Sequence, residues 1–142
     1  MLFLAGKIAL AQASIAPGPA ETALSGAGVA RAGEIPFARL NPALVGTVGW
    51  RAYASASPSS LGITGYVDGS AVATLPIDSA LSIGVSIQGL SAASYRQVQG
   101  GGMVAFQPDW FITVGGAVWL NSVSVDGYGS ATAPTVDVGV LA

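Results

Sequence analysis

The residues best suited to chemistry in this chain are few. Asp68, Asp126 and Asp137 are the acidic side chains that a metal or acid/base site would draw on. Their spacing does not support one: Asp126-Gly127 reads as a turn, and the alternating acidic ligands of a calcium loop, closed by a glutamate, are missing. Cysteine and histidine are absent, which removes thiolate and imidazole metal sites, disulfides and histidine-based nucleophilic triads. Gly100-Gly101-Gly102 lacks the Lys-Ser/Thr that completes a phosphate loop, and it reads as a flexible hinge. What remains is a polar set, Arg51, Tyr53, Tyr66 and Asp68, placed either to line a ligand path or to fill a polar interior. The sequence therefore argues against an enzyme and implies no cofactor.

The elements that position this set are read from alternation. Along Ala80–Ser91, Leu81, Ile83, Val85 and Ile87 fall on one side, and Ser82, Gly84, Ser86 and Gln88 on the other. The wet face of a soluble sheet carries Lys, Glu, Arg and Thr; this one carries Ser, Gly and Gln. Such a face suits the inner wall of a transmembrane β-barrel whose outer wall meets lipid.

Composition agrees. Of 142 residues, 51% are hydrophobic and only 8% are charged, against roughly a quarter in a typical soluble domain. Twenty glycines disfavour helices. No window reaches the roughly 18 uninterrupted apolar residues of a membrane helix. The net charge of −2, with the basic residues scattered, excludes nucleic acid as a partner.

In chain order, residues 1–13 read as the remnant of an export signal, with Ala11-Gln12-Ala13 as a cleavage site before Ser14. Residues 14–46 read as a compact plug-like segment, broken by Pro17-Gly18-Pro19 and rich in small residues. Residues 47–142 read as about six antiparallel strands. The first starts at Thr47, with Val48, Trp50, Ala52, Ala54 and Ala56 outward and Arg51, Tyr53 and Ser55 inward. The second runs from Leu61 to Leu75, with Tyr66, Asp68, Val72 and Thr74 inward. The third is Ala80–Ser91, and the fourth covers about Gly102 to Gln107. The fifth carries Trp110, Ile112, Val114, Val118 and Leu120 outward and Phe111, Thr113, Ala117, Trp119 and Asn121 inward. The sixth is Thr135–Val140. Short turns at 76–79 and 108–109 alternate with longer loops at 91–101 and 122–133, as tight periplasmic turns alternate with long outer loops. Trp50 and Trp110 take girdle positions at strand starts.

Ser25-Gly26-Ala27-Gly28-Val29-Ala30-Arg31-Ala32-Gly33-Glu34, followed by Leu40-Asn41-Pro42-Ala43 and then alternating strands, resembles the start of FadL-type outer-membrane barrels, the long-chain fatty-acid and hydrocarbon transporters. The closing Val136-Asp137-Val138-Gly139-Val140 strand is similar to the PorV-like branch associated with secretion. The resemblance spans about residues 23–142. It implies that Gly26, Gly28, Asn41, Pro42 and Ala43 belong to a hatch folded inside the barrel. It also implies membrane lipid and hydrophobic small molecules as partners, with secretion-system or barrel-assembly proteins alongside. The implied location is the outer membrane of a Gram-negative-type bacterium. Six strands are fewer than the roughly eight of the smallest bacterial barrels, so the expected architecture is a partial barrel, the N-terminal part of a longer protein or a truncated gene product. A different class of reading is an exported apolar β protein that assembles through its strand edges as a structural or surface component.

Overall fold

A computed structural model describes residues 38–58, 65–108 and 111–142. The expected signal remnant, Gly26 and Gly28, the first residues of the second strand at 61–64, and Trp110 lie outside the described residues.

The described chain is all-β. Six strands form one antiparallel sheet in which every strand pairs with its sequence neighbour: β1 (Arg51–Pro58), β2 (Tyr66–Pro76), β3 (Leu81–Ala92), β4 (Tyr95–Phe106), β5 (Thr113–Val125) and β6 (Gly129–Leu141). A 3-10 helix, Pro42–Thr47, precedes the sheet. The sheet is not closed. Among the described residues, β1 and β6 are its two edges.

The two faces sort as the alternation requires. On β3, Ser82, Gly84, Ser86 and Gln88 are buried while Ile83, Val85 and Ile87 are exposed. On β5, Thr113, Gly115, Ala117 and Trp119 are buried and Val114, Val118 and Leu120 are exposed. Val85 retains 60% of its accessible surface and Val118 57%. Outward positions over Val67–Leu75, Ile83–Ile87, Val98–Phe106, Val114–Leu120 and Val136–Val140 carry no charge. The Val67–Leu75 run measures roughly 26 Å along the strand at about 3.3 Å per residue. Tilted by about 40°, it covers roughly 20 Å of height, close to the apolar band of a membrane barrel. The exposed apolar residues are contiguous across β2 to β6, a broad patch of the kind that marks an interaction or membrane surface. Trp50 lies at the foot of β1 and is exposed.

Several boundaries differ from the sequence reading. β1 begins at Arg51, not Thr47, because Asn41 and Pro42 start a 3-10 helix that runs through Thr47. Val48, expected outward, is consequently buried at the end of that helix. Arg51 keeps its inward register but sits exposed at the start of an edge strand. The stretch 91–101 is not a loop: Tyr95–Gly101 pairs with β3, and the reversal is confined to Ala93-Ser94. Gly100-Gly101-Gly102 is accordingly strand interior and not a hinge. The stretch 122–133 is likewise the tip of the β5–β6 hairpin, closed at Asp126–Tyr128 with Gly127 at φ 81°. The expected contrast of short turns with long loops therefore fails at both of these sites. The polar residues that suggested loops are strand positions: Tyr95, Gln97, Gln99 and Asn121 face inward, and Arg96, Ser122 and Ser124 face outward near the strand ends.

The β2–β3 turn is held by Asp78. Its Oδ1 accepts the Ala80 N–H at 2.7 Å and the Leu81 N–H at 2.8 Å, and these bonds hold the carboxyl below its ordinary 3.8. A depressed folded-state pKa stabilises above the unfolded value, and the contribution is lost as pH falls through the folded one. Amide exchange at Ala80 and Leu81, taken relative to the intrinsic rate at each pH, is expected to speed up on acidification below about pH 4, where the free carboxyl titrates. In Asp78→Ala it should be fast throughout, with that pH step gone.

Candidate functional site

The concave face is built in rows, because residues paired across neighbouring strands lie at one height. The lowest row consists of small side chains, Ser82, Ala105, Gly115 and Gly139. The 3-10 helix rests on it. A Cβ at Gly115 would overlap the backbone of Pro42 and Ala43, and one at Gly139 would overlap the Asn41 side chain. The two glycines thus let main chain lie directly on the sheet. Asn41 fastens the contact from both ends of its amide. Oδ1 accepts the Ala43 N–H at 3.1 Å, while Nδ2 donates to the Val140 carbonyl at 3.3 Å. Pro42 occupies the first turn, where a missing N–H costs nothing.

Seated there, Leu44 and Val45 are fully buried against Val72, Met103, Ala105, Ala117 and Trp119, with Leu40, Tyr53 and Leu141 packed around them. This is the apolar core of the described chain. It lies on the face that also carries the polar residues, and it is closed by the chain's own segment rather than by a second sheet.

Trp119 forms the upper wall. It is only 2% exposed, and its indole Nε1–H donates to Asp137 Oδ2 on β6 at 2.7 Å. Gly101 on β4 makes room for it, since a Cβ there would collide with the Trp119 ring and the Val118 carbonyl. Trp119→Phe removes the donor together with the five-membered ring of a buried indole. Equilibrium unfolding in denaturant should show a loss of at least about 1–3 kcal/mol, the range for an unmade hydrogen bond to a partly buried charged group, with the cost of the cavity added.

Above Trp119 runs a polar row at one height: Ser55, Ser70, Gln88, Gln99 and Asn121, one from each of β1 to β5. Ser55 and Ser70 share a hydroxyl hydrogen bond of 3.0 Å, and Gln88 Nε2 donates to Gln99 Oε1. Asn121 Nδ2 donates to Thr135 Oγ1 at 3.1 Å. Gln88 is 3% exposed, and its Oε1 is buried without a donor. A buried acceptor left unmade costs about 1–3 kcal/mol.

Between this wall and the turn before Asn41 lies a cavity of about 220 Å³, lined by Arg39, Leu40, Gln99, Trp119, Asp137 and Val138. A larger recess of about 530 Å³ opens on the outer face over Ala52, Ala54, Ala71 and Ala73, where alanines oppose alanines across β1 and β2. It contains no side chain suited to chemistry.

The residues singled out from sequence are distributed over the concave face. Tyr53 packs on the core, Asp68 is buried on β2, and Tyr66 is half-buried two residues before it. Arg51 pairs with Thr74, six positions along β2 from Asp68, so roughly 20 Å of strand separates the two. Asn41, Pro42 and Ala43 are brought together with Gly115 and Gly139. Asp68, Asp126 and Asp137 stand on β2, the β5–β6 turn and β6. Sequence reasoning missed the Trp119–Asp137 bond and the amide row. The inward period marked Trp119 and Asn121, but only the register brings their partners beside them.

Comparison with family models, curated proteins and solved structures finds no match to this chain.

Proposed function

We propose that this chain forms wall and plug of an outer-membrane β-barrel through which hydrophobic molecules pass. Long-chain fatty acids and hydrocarbons, as in the FadL-type barrels it resembles, are the model cargo; an accessory role in PorV-like secretion is the variant of the same reading. The observation that carries it is the inverted sheet. The bulky apolar face is bare, whereas the face of Ser, Gly and Gln is covered by residues 38–47 of the same chain. In water that arrangement wastes apolar area worth about 25 cal/mol per Å². In lipid it satisfies both faces. Closure takes further strands on β1 and β6, because an open edge in hydrocarbon leaves backbone groups unpaired at several kcal/mol each.

The test is extraction. The chain should sediment with outer membranes, resist alkaline washing and enter solution only with detergent. Purification as a soluble monomer in plain buffer would overturn the reading. The open edges also favour a second reading, an exported structural protein that assembles edge to edge. Detergent separates the two: edge-to-edge assemblies should persist as large, detergent-resistant particles away from membranes.

A further inference from the structure

We infer that the cavity between Arg39 and Asp137 receives the neutral, hydroxyl-bearing head group of an amphiphile, in preference to a fatty carboxylate; the inference rests on the barrel reading above. Size comes first. At about 220 Å³ the space is below the roughly 300–1,000 Å³ of pockets that enclose a whole drug-sized ligand, so it suits a head group and not a complete molecule. Leu40 supplies an apolar wall beside the polar ones, as the junction of head and tail requires.

Charge selects the kind of head. Arg39 and Asp137 line the same small space, so one cation and one anion offset each other. A carboxylate would gain Arg39 but meet Asp137, and like charges sharing so small a space repel. An ammonium group would face the converse. A hydroxyl both donates and accepts, and it serves either wall without a net charge.

The hydrogen-bond inventory points the same way. Gln99 uses its carbonyl on Gln88, which leaves its amide nitrogen as the group to donate. Gln88 Oε1, next along that row, is a buried acceptor lacking a donor. Asp137 adds a further acceptor. Arg39 supplies donors on one side; on the side of Asp137 and Gln88 the groups are acceptors, and a carboxylate brings no donor for them. A glycerol or alcohol head brings one or two.

The experiment uses the full chain in phosphatidylcholine vesicles, in a Trp50→Phe/Trp110→Phe background so that Trp119 alone reports. Titrating 1-dodecanoylglycerol should shift Trp119 emission, with an apparent affinity about tenfold or more above that of ionised dodecanoate, the scale of a like-charge penalty. Asp137→Asn keeps an acceptor for the indole and removes the anion, so it should narrow that ratio by bringing dodecanoate up. Equal or tighter binding of dodecanoate by the unaltered cavity, or no response to either lipid, overturns the inference, and this comparison needs no cavity variant. An unchanged ratio in Asp137→Asn also overturns it. Protease protection in the vesicles reports insertion independently: an inserted chain that prefers dodecanoate retains the barrel reading and loses this one, whereas a chain that never inserts loses both.

Discussion

Arginine at Val118 is expected to keep the chain out of the bilayer. Val118 lies on the outer face of β5, between Gly102 on β4 and Val136 on β6, well inside the uncharged band. A guanidinium near the bilayer midplane of a barrel costs about 2–4 kcal/mol and falls to about 0–1 near the interface. Val85→Arg on β3, at the same height across Gly102, should behave alike. The depth dependence supplies an internal control. Arg96 already occupies an outward position at the upper end of β4, so Val98→Arg, nearer that rim, should cost less than Val118→Arg. Folding into vesicles across a urea series gives all three values. Equal tolerance at all three positions would show that the face does not meet hydrocarbon.

The second large effect is expected at Gly115. A side chain there has nowhere to go, because the hypothetical Cβ already overlaps Pro42 and Ala43 main chain, which has no rotamer to change. Gly115→Val should lift the 3-10 helix from the sheet and expose Leu44 and Val45. Each such side chain is worth about 1.5–3 kcal/mol when fully buried, so the segment should lose roughly 3–6 kcal/mol of docking energy. The six strands themselves pair elsewhere and should persist. The readout is a cysteine at Leu44, tested for alkylation with and without Gly115→Val in inserted protein. Rapid labelling is expected only in the double variant. Gly116→Ala, one residue on and facing outward, where a Cβ meets only the Asp137 carbonyl at an ordinary 3.9 Å, is the matched control and should label slowly.

Much of the sheet was legible because a strand shows its two faces at period two, and no turn is needed to see it. Ile83, Val85 and Ile87 against Ser82, Ser86 and Gln88 place β3 correctly from residue types alone, as do Val114 and Val118 against Ala117 and Trp119 for β5. The signal fades where both neighbouring positions are polar. Gln97, Gln99, Ser122 and Ser124 resemble loop residues until the opposite strand is present; pairing with β3, β4 and β6 makes them strand. Arg51 was legible in register but not in exposure, because alternation says nothing about which strand becomes an edge. The 3-10 helix was opaque for another reason. Asn41-Pro42 announces a break in the chain, but what fixes six helical residues after it is the bare floor at Gly115 and Gly139, roughly 70 and 100 positions away.

That separation bears on the order of assembly. Every strand in the sheet hydrogen-bonds its immediate successor, so the hairpins close loops of only a few residues and form early. The Asn41 amide reaches Val140 across 99 positions of sequence. The segment carrying Asn41 precedes all six strands in the chain, yet its landing ground is complete only when β6 has joined β5. Docking of this segment therefore waits on the strand farthest from it in sequence.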